Sequence, residues 1–271
     1  MRARIFAAVL PLALACAVAP NMAAADEHEA TVHILHGVPG LTVDVYANGN
    51  SLLTNFAPGT LTDAVQLPAG SYDLKVTAAG AGADGEAAIE ANDVTVPGGA
   101  NITVVAHLDA DGKPMLTPFV NDVAATAAGE GRLTVRHTAA APAVDVRANG
   151  TVAFSNLANP DEMKADLAAG TVSADVVLTG TDTVAIGPAD VNIAEGANTI
   201  VYAWGSAADA NLGLAVQVID GLHSAPGGVP GGTGGQAAAA DATNSAALLA
   251  VAALLAAGTG VVLVRRRALV N

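Results

Sequence analysis

The sequence predicts an all-β protein with two tandem antiparallel β-sandwich modules of the immunoglobulin-like kind, followed by one C-terminal transmembrane helix. Three observations lead to this prediction. A long segment of the chain occurs twice, and turn residues divide each copy into short apolar runs. A long uncharged segment near the C-terminus is followed directly by arginines.

The duplication is visible when Thr31–Asn55 is aligned with Arg132–Asn156. Identical residues then recur at an offset of 101: His36 with His137, Asp44 with Asp145, Asn48-Gly49 with Asn149-Gly150, and Asn55 with Asn156. Further on, Leu67–Gly70 corresponds to Leu167–Gly170, and the small drift in offset fits loops of different length. The period is too long for a solenoid repeat, so we expect two copies of one domain-sized module.

Each copy has the pattern of short strands. Val43–Ala47 and Ser51–Asn55 flank Asn48-Gly49, a pair that suits a type I′ hairpin turn because both of its residues tolerate positive φ. Further β-prone runs follow at Ser71–Thr77, Ile102–Leu108 and Met115–Val120. The spacing of the turn signals predicts seven or eight strands per module, arranged as two antiparallel sheets packed face to face.

Residues 1–25 have the features of a secretory signal peptide. Arg2 and Arg4 precede an apolar stretch, and Ala23–Ala25 forms an A-x-A cleavage site. A lipoprotein signal with Cys16 as the lipidated residue is an alternative, although Ala13–Ala15 departs from the usual lipobox. Cleavage after Ala25 removes the only cysteine, so the mature modules must be held together by packing without disulfides.

Residues 246–264 are expected to form a transmembrane helix. These 19 residues carry no charge, which is just enough to span a hydrocarbon core of ~30 Å. Arg265–Arg267 follow directly and should stay in the cytoplasm by the positive-inside rule. We therefore expect a single-pass protein of the cell membrane, with an extracellular ectodomain and a cytoplasmic C-terminus.

These features predict six segments along the chain. They are a signal peptide at 1–25, sandwich modules at 26–124 and 125–221, a Gly/Pro/Ala-rich linker at 222–245, the transmembrane helix at 246–264, and a basic cytoplasmic tail at 265–271. Val229–Gly234 resembles the Leu-Pro-x-Thr-Gly motif of sortase substrates, with leucine replaced and an extra glycine. We favour a retained helix over covalent attachment to the cell wall, and sortase-like processing stays open.

Charge narrows the class of partner. All 25 acidic residues lie between Asp26 and Asp241, together with only six lysines and arginines, which gives that part of the chain a net charge of −19. Such a surface repels nucleic acid and anionic lipid headgroups. We therefore expect no nucleic-acid partner, and membrane contact only through the C-terminal helix. Cations, cationic partners and neutral surfaces remain as the classes of partner that this charge allows.

The histidines of the stretch His33–His36 are the first candidates for a site. In a strand, Val32, Ile34 and His36 share one face, whereas His33 lies on the other. A metal held by His33 and His36 is therefore disfavoured. We interpret His36 and its repeat His137 as scaffold residues that hydrogen-bond to turn backbone at the end of a strand. Roles as a metal ligand or catalytic base are the alternatives.

The carboxylates give weaker signals. Asp44 and Asp145 alternate with inward-facing valines, so we expect them to face solvent or a neighbouring loop. Asp109–Lys113 resembles the start of a calcium-binding loop but lacks the third acidic ligand and the closing glutamate. We interpret it as a hairpin turn, and calcium binding at Asp109 and Asp111 stays open.

A family resemblance runs through the same residues. His36, Val43–Gly49 and Leu67–Tyr72 resemble the bacterial "domain of unknown function 4397" family, which has a short strand, a His-containing turn, Val-Asp-Val-Tyr and a hairpin glycine. The second module matches through His137, Ala143–Val146 and Asn149-Gly150, so the resemblance covers about Thr31 to Gly221. The turns Gly37–Pro39 and Thr138–Ala140 depart from the family pattern. The resemblance implies a scaffold-like architecture and export, but no reaction.

The catalytic inventory is thin. The sequence has no G-x-S-x-G, C-x-x-C, H-E-x-x-H or P-loop motif. We therefore expect a membrane-anchored extracellular surface protein with a structural or protein-binding role, not an enzyme. It would need no cofactor and would bind an envelope protein or polymer. The alternative is a ligand-binding or hydrolytic ectodomain that uses His36, His137 and nearby carboxylates.

Overall fold

The structure, a computed structural model, describes residues 29–224, and these are built from β-strands. The first module has β1 (Glu29–His36), β2 (Val43–Ala47), β3 (Asn50–Phe56), β4 (Val65–Pro68), β5 (Gly70–Ala78), β6 (Ala87–Val96), β7 (Asn101–Leu108) and β8 (Pro114–Val120). The second has β9 (Glu130–Ala140), β10 (Val144–Ala148), β11 (Thr151–Leu157), β12 (Glu162–Ala168), β13 (Gly170–Leu178), β14 (Val184–Ile193), β15 (Asn198–Ser206) and β16 (Gly213–Ile219). The prediction of an all-β fold is confirmed.

Both modules pair two four-stranded sheets and have the same topology. The first combines β4-β1-β7-β8 with β3-β2-β5-β6, and the second combines β12-β9-β15-β16 with β11-β10-β13-β14. Adding eight to each strand number converts the first order into the second. The sequence duplication is thus a duplication of a whole sandwich-like unit with eight strands.

The sequence analysis expected purely antiparallel sheets, and this part of the prediction is wrong. β1 runs parallel to β7, and β9 runs parallel to β15, while the other pairs are antiparallel. Every residue of β7 after its first is buried, as are most residues of β15. Strands covered on both faces need no alternation of apolar and polar residues, which explains why Ile102–Leu108 shows none.

The predicted hairpin turns are present in both modules. Asn48 and Gly49 have φ of 49° and 75°, and Asn149 and Gly150 have φ of 50° and 80°. Ala47 pairs directly with Asn50, so the turn has two residues and is of the primed type. Asn48 also accepts a hydrogen bond at Oδ1 from the Asp73 amide at 2.8 Å, which ties the turn to β5.

Each sandwich has its own core of small aliphatic side chains. Val32, Ile34 and Val104 lie in the first, and Leu133, Val135 and Val201 in the second. A third apolar cluster lies between the modules, with Leu35, Val105 and Phe119 from the first and Ile200, Tyr202 and Ala215 from the second. The two modules therefore share a buried interface and form one compact unit.

The expected ends of the modules shift slightly. Leu222 was assigned to the linker, but it is buried, and its carbonyl accepts a hydrogen bond from the Thr126 amide at 2.8 Å. Thr126 also forms a bridge with His223, so contacts of the second module extend to His223. The expected signal peptide and the expected transmembrane segment lie outside the described residues. Within 29–224 no helix has the length and apolarity needed to cross a membrane.

Candidate functional site

His36 and His137 occupy the same place in the two modules. Both rings are buried: His36 is the last residue of β1, whereas His137 lies three residues before the end of β9. His36 Nε2 donates to the Leu41 carbonyl at 2.7 Å, and its Nδ1 accepts from the Val38 amide at 3.4 Å. His137 Nε2 donates to the Pro142 carbonyl at 3.0 Å in the same way. Both rings thus fasten the loop that leads into the next strand, as the scaffold interpretation predicted.

Burial keeps these rings neutral. Desolvation lowers the pKa of His36 and of His137 below the ordinary value, although the hydrogen bond to a backbone carbonyl works in the opposite direction. A neutral Nε2–H tautomer explains both contacts of each ring, because one nitrogen donates and the other accepts. No ring nitrogen is left for a substrate or a metal in this arrangement.

Asp44 and Asp145 do not face solvent, which corrects one part of the expectation. Both are buried, with exposed fractions of 5% and 9%. Asp44 accepts the amides of Asn55 at 2.9 Å and Gly80 at 2.8 Å, and Asp145 accepts the corresponding amides of the second module. These hydrogen bonds lower the pKa of both carboxyl groups. The other part of the expectation, contact with a neighbouring loop, is correct.

The Asn55 amide is available to Asp44 because of a local backbone distortion. Asn55 has a φ of 53°, and the register between β2 and β3 shifts at this point, as expected of a β-bulge. Asn156 repeats the conformation with a φ of 54°. The aspartates therefore brace a bulge and a turn in each module, and they form no hydrogen bond with His36 or His137.

Asp109–Lys113 is a hairpin turn between β7 and β8. Asp109 Oδ1 accepts the amides of Asp111 at 2.9 Å and Lys113 at 2.8 Å, and Gly112 has a φ of 80°. The carboxylate therefore satisfies the backbone of its own turn. Among the described residues, no group of three or more His, Cys, Asp or Glu side chains is arranged to hold a metal ion.

The cavity next to His36 is small and apolar. It measures about 30 Å³ and is lined mainly by aliphatic side chains of the first core, such as Val45 and Val104. A void of the same size lies in the second core. Small-molecule sites usually measure ~300–1,000 Å³, so these voids are packing defects between small side chains. Asp44 does not line the cavity, and the pocket that would join it to His36 is not formed.

The sequence analysis missed a buried polar cluster at the module interface. Arg136 is 1% exposed, and its guanidinium carbon lies 4.5 Å from the centre of the Phe119 ring. Its Nη1 donates to Asn121 Oδ1 at 2.9 Å and to the Tyr202 hydroxyl at 2.7 Å, while its Nε pairs with Glu162. Burial in turn raises the pKa of Tyr202. One cation therefore joins both modules.

Further hydrogen bonds cross the same interface. Thr103 on β7 and Tyr202 on β15 both donate to Gln217 Oε1, at 2.9 Å and 2.6 Å. Arg132 pairs with Asp122 at 2.9 Å and donates to the Ala124 carbonyl, both in the segment that connects the modules. The connection is thus fastened at several points, and the two modules are held in one relative position.

The interface joins equivalent faces of the two modules. Leu35 and Val105 pair across β1 and β7, and their counterparts Arg136 and Tyr202 pair across β9 and β15. The loop after β3 packs on β15, since a Cβ at Gly59 would lie only 2.8 Å from Trp204. The loop after β11 packs on β7, since Asn159 donates to the Leu108 carbonyl at 2.8 Å. The arrangement resembles a symmetric dimer within one chain.

His107 and Trp204 occupy equivalent positions on β7 and β15. His107 is fully buried, with Nδ1 2.9 Å from the Leu108 carbonyl and Nε2 2.8 Å from Thr117 Oγ1. Desolvation lowers its pKa. Trp204 is half-buried and packs on Gly37, Gly59 and Gly213. Trp204 lies at the rim of the interface. The unbroken apolar run of β15 was the feature of the sequence that indicated burial at this position.

Residues 30–147 match the family described as "Domain of unknown function (DUF4397)". Over these residues the chain is similar to that family. The DUF4397 match covers β1 to β9 and most of β10, and it includes both His36 and His137. The sequence resemblance was expected to reach Gly221. The match is shorter and covers the first module and the beginning of the second. Among curated proteins, none matches this chain.

Proposed function

We propose that the protein is an exported surface protein, anchored in the membrane by residues 246–264, with a structural or protein-binding role. One observation supports this proposal above the others. The buried histidine, aspartate and arginine side chains of the described modules are engaged in holding loops, bulges, neighbouring strands and the module interface: His36, Asp44, His107, Arg132, Arg136, His137 and Asp145. Residues employed in this way stiffen a scaffold and are not presented to a substrate.

The shared interface supports the same proposal. Two modules fixed by a common apolar cluster and a buried arginine present their outer surfaces at constant distances from each other. A protein that binds or spaces neighbours in a cell envelope benefits from such rigidity, because less conformational entropy is lost on association. We include in this proposal the immunoglobulin-like nature of the modules, the signal peptide at 1–25 and the cytoplasmic tail at 265–271.

Site-specific photo-crosslinking in intact cells tests the binding role. A photoreactive residue replaces one exposed valine at a time in the full chain, at Val120, Val152, Val184 or Val216. We expect a discrete adduct with an envelope protein or polymer from at least one position. Buried Leu35 is the matched negative control. If every exposed position behaves like Leu35, the binding role is wrong.

Fractionation and N-terminal sequencing test the anchored location. We expect the product in the membrane fraction, with its N-terminus at Asp26 and its C-terminal segment retained. A product released entirely into the medium, or one acylated at Cys16, would contradict the anchor and the cleavage site that we propose.

A further inference from the structure

The edges of the four sheets differ in how they are protected. An edge strand exposes unpaired backbone N–H and C=O groups, and proteins block such edges with prolines, charges, bulges or short strands. The edge strands here are β3, β4, β6, β8, β11, β12, β14 and β16. The devices that each edge carries can be identified from the sequence and the backbone angles.

Seven of these described edges are blocked. Bulges with positive φ interrupt β3 at Asn55, β6 at Asp93 and β11 at Asn156. Prolines lie in β4, which has only four residues, in β8 and in β14: Pro68, Pro114, Pro118 and Pro188. Alternating charges occupy β12: Glu162, Lys164 and Asp166. Each device prevents or weakens pairing with an added strand.

β16 carries none of these devices. Its sequence, GLAVQVI, has no charge and no proline, and none of its residues has positive φ. All seven residues pair with β15 without a register shift, so the strand is straight and regular. Within residues 29–224, β15 is its only strand neighbour. Val216 and Val218 are 53% and 49% exposed on one face.

The equivalent strand of the first module shows what is missing. β8 pairs with β7 as β16 pairs with β15, and Pro118 opposite Val104 corresponds to Val216 opposite Val201. Proline has no N–H to offer to an added strand, whereas valine has one and favours β structure. The two copies therefore differ at the residue that decides whether the edge can accept a partner.

We propose that β16 is a docking edge that binds an extended segment of another protein as a fifth strand of the β12-β9-β15-β16 sheet. The segment would have apolar residues at alternate positions to cover Val216 and Val218, and basic residues at its ends. In this mode of recognition the main chain gives affinity and alternate side chains give specificity. The inference rests on the proposed binding role and names the surface and the partner chemistry.

Charge complementarity determines the choice of occupant. The described residues include 22 acidic and six basic side chains, and four of the six basic ones are already in ion pairs, namely Arg132, Arg136, Arg147 and Lys164. Asp209 and Asp220 lie on either side of β16. Basic flanks would be attracted to this edge, whereas a second copy of the chain would bring the same negative charge and be repelled.

A depression of mixed polarity continues the edge at one end. It measures about 410 Å³ and is lined by Leu178, Thr183 and Ala185 in and between β13 and β14 and by Ala207, Ala210 and Leu212 just before β16. Leu214, Val216 and Val218 share one face of β16, and Leu212 lies just before that strand. A side chain of the docked segment that extends beyond β16 would therefore enter the depression next to Leu212.

Peptide binding to the purified full chain tests the proposal. The probe is the fluorescent peptide Lys-Thr-Val-Thr-Val-Thr-Val-Lys, measured by anisotropy at low salt. One control peptide has glutamate at both ends, and another has proline in place of the central valine. We expect the glutamate ends to weaken binding at least tenfold and the proline to abolish it. Equal binding of all three peptides would overturn the proposal.

Matched variants locate the binding. Val216→Pro copies Pro118 of the sister strand, and Val218→Lys adds a charge at an exposed position that does not affect the core. We expect each to weaken peptide binding at least tenfold, with unchanged far-ultraviolet circular dichroism. Val120→Lys, the equivalent change on β8, should leave binding unchanged. If Val218→Lys binds the peptide as the unaltered chain does, β16 is not the docking edge.

Three further outcomes distinguish failure of the inference from failure of the proposed function. A concentration-dependent dimer that Val216→Pro abolishes in sedimentation velocity would show that the occupant is a second copy, and would overturn the occupant proposed here. Crosslinks in cells from Val152 or Val184, with none from Val216, would defeat the docking edge and leave the binding role standing. Absence of crosslinks from all exposed positions would defeat both.

Discussion

His36 and His137 each hold a loop backbone in place from inside a β-sandwich. The His36 ring also lies 5.7 Å from the Phe56 ring, so it contributes to packing and hydrogen bonding. Its position at the end of an apolar face was visible in the sequence as Val32, Ile34 and His36. The identity of its partner, the Leu41 carbonyl, was not, because it depends on the path of a loop.

Replacing His36 by alanine should destabilise the protein. The change removes a buried ring and leaves the part-buried Leu41 carbonyl without its donor, which should cost ~1–3 kcal/mol in the free energy of unfolding. His33→Ala is the matched control, because His33 is half-buried and its single contact, with the Thr62 carbonyl, is long at 3.3 Å. Urea denaturation measures both. Equal losses for His33→Ala and His36→Ala would contradict the scaffold role.

Stability should also fall in mild acid. Burial lowers the pKa of His36, His107 and His137 in the folded state. The unfolded chain therefore binds more protons than the folded chain as the pH drops below 6.5, the ordinary pKa of histidine. Their contribution is complete above that pH and is lost progressively below it. The urea midpoint should therefore be lower at pH 5.5 than at pH 7.5.

The carboxylates respond in a different range, which keeps the two effects separate. Hydrogen bonds lower the pKa of Asp44 and Asp145 below 3.8, so their contribution to stability is present above that value and is lost as the pH falls through the lowered pKa.

A triple variant with glutamine at 36, 107 and 137 tests the role of the histidines. It should be less stable at pH 7.5 but show a weaker decline in stability to pH 5.5. An undiminished decline would mean that other groups cause it.

At the scale of single elements, the hairpins show how strongly a short sequence determines local structure. Asn48-Gly49 and Asn149-Gly150 adopt the same turn in both modules, because few other residue pairs tolerate two consecutive positive φ angles. The bulges at Asn55 and Asn156 follow from the same property of asparagine. Their purpose becomes clear only where Asp44 and Asp145 bind the distorted backbone.

Alanine at either hairpin glycine should be costly for backbone reasons alone. A Cβ at Gly49 or Gly150 would meet no atom within 4 Å, so steric overlap with neighbours is not involved. The positive φ of the glycine should cost about 1–2 kcal/mol in the free energy of unfolding for each variant. Gly40→Ala on the loop before β2, where φ is 82°, is a comparison at another open position. A cost at Gly49 but none at Gly150 would show that the two turns are not equivalent.

At the scale of the whole molecule, the two modules behave as one unit because equivalent faces pack together. The faces have diverged, with Arg136 in place of Leu35 and Tyr202 in place of Val105. Contact between two identical copies would place Leu35 and Val105 on both sides. The divergence gives the second module polar groups that find partners within the interface. The interface is therefore adapted to the contact between these two different modules.

Arg136→Ala should weaken the interface. It removes buried packing on Phe119 and takes the shorter of two hydrogen bonds from Asn121 Oδ1, for an expected loss of at least about 2 kcal/mol. Arg136→Leu, which restores the residue of the first module, should lose less. Arg147→Ala is the control, because Arg147 lies in an ion pair within one sheet, so its loss should leave the coupling between the modules intact. Calorimetry should show separate transitions of the two modules in Arg136→Ala, and one unchanged transition would contradict the coupling.

The sequence by itself determined the local and repeated features of this protein. Turn residues fixed the hairpins, β-prone runs between them gave the strands, and the repeat gave two modules, since each depends on interactions between residues near in sequence. Only the tertiary structure decided that β1 pairs with β7 in parallel, that Asp44 is buried, and that Arg136 lies between two modules. These features depend on which surfaces meet after the strands form. An apolar face indicates that it will be buried, but it does not identify its partner.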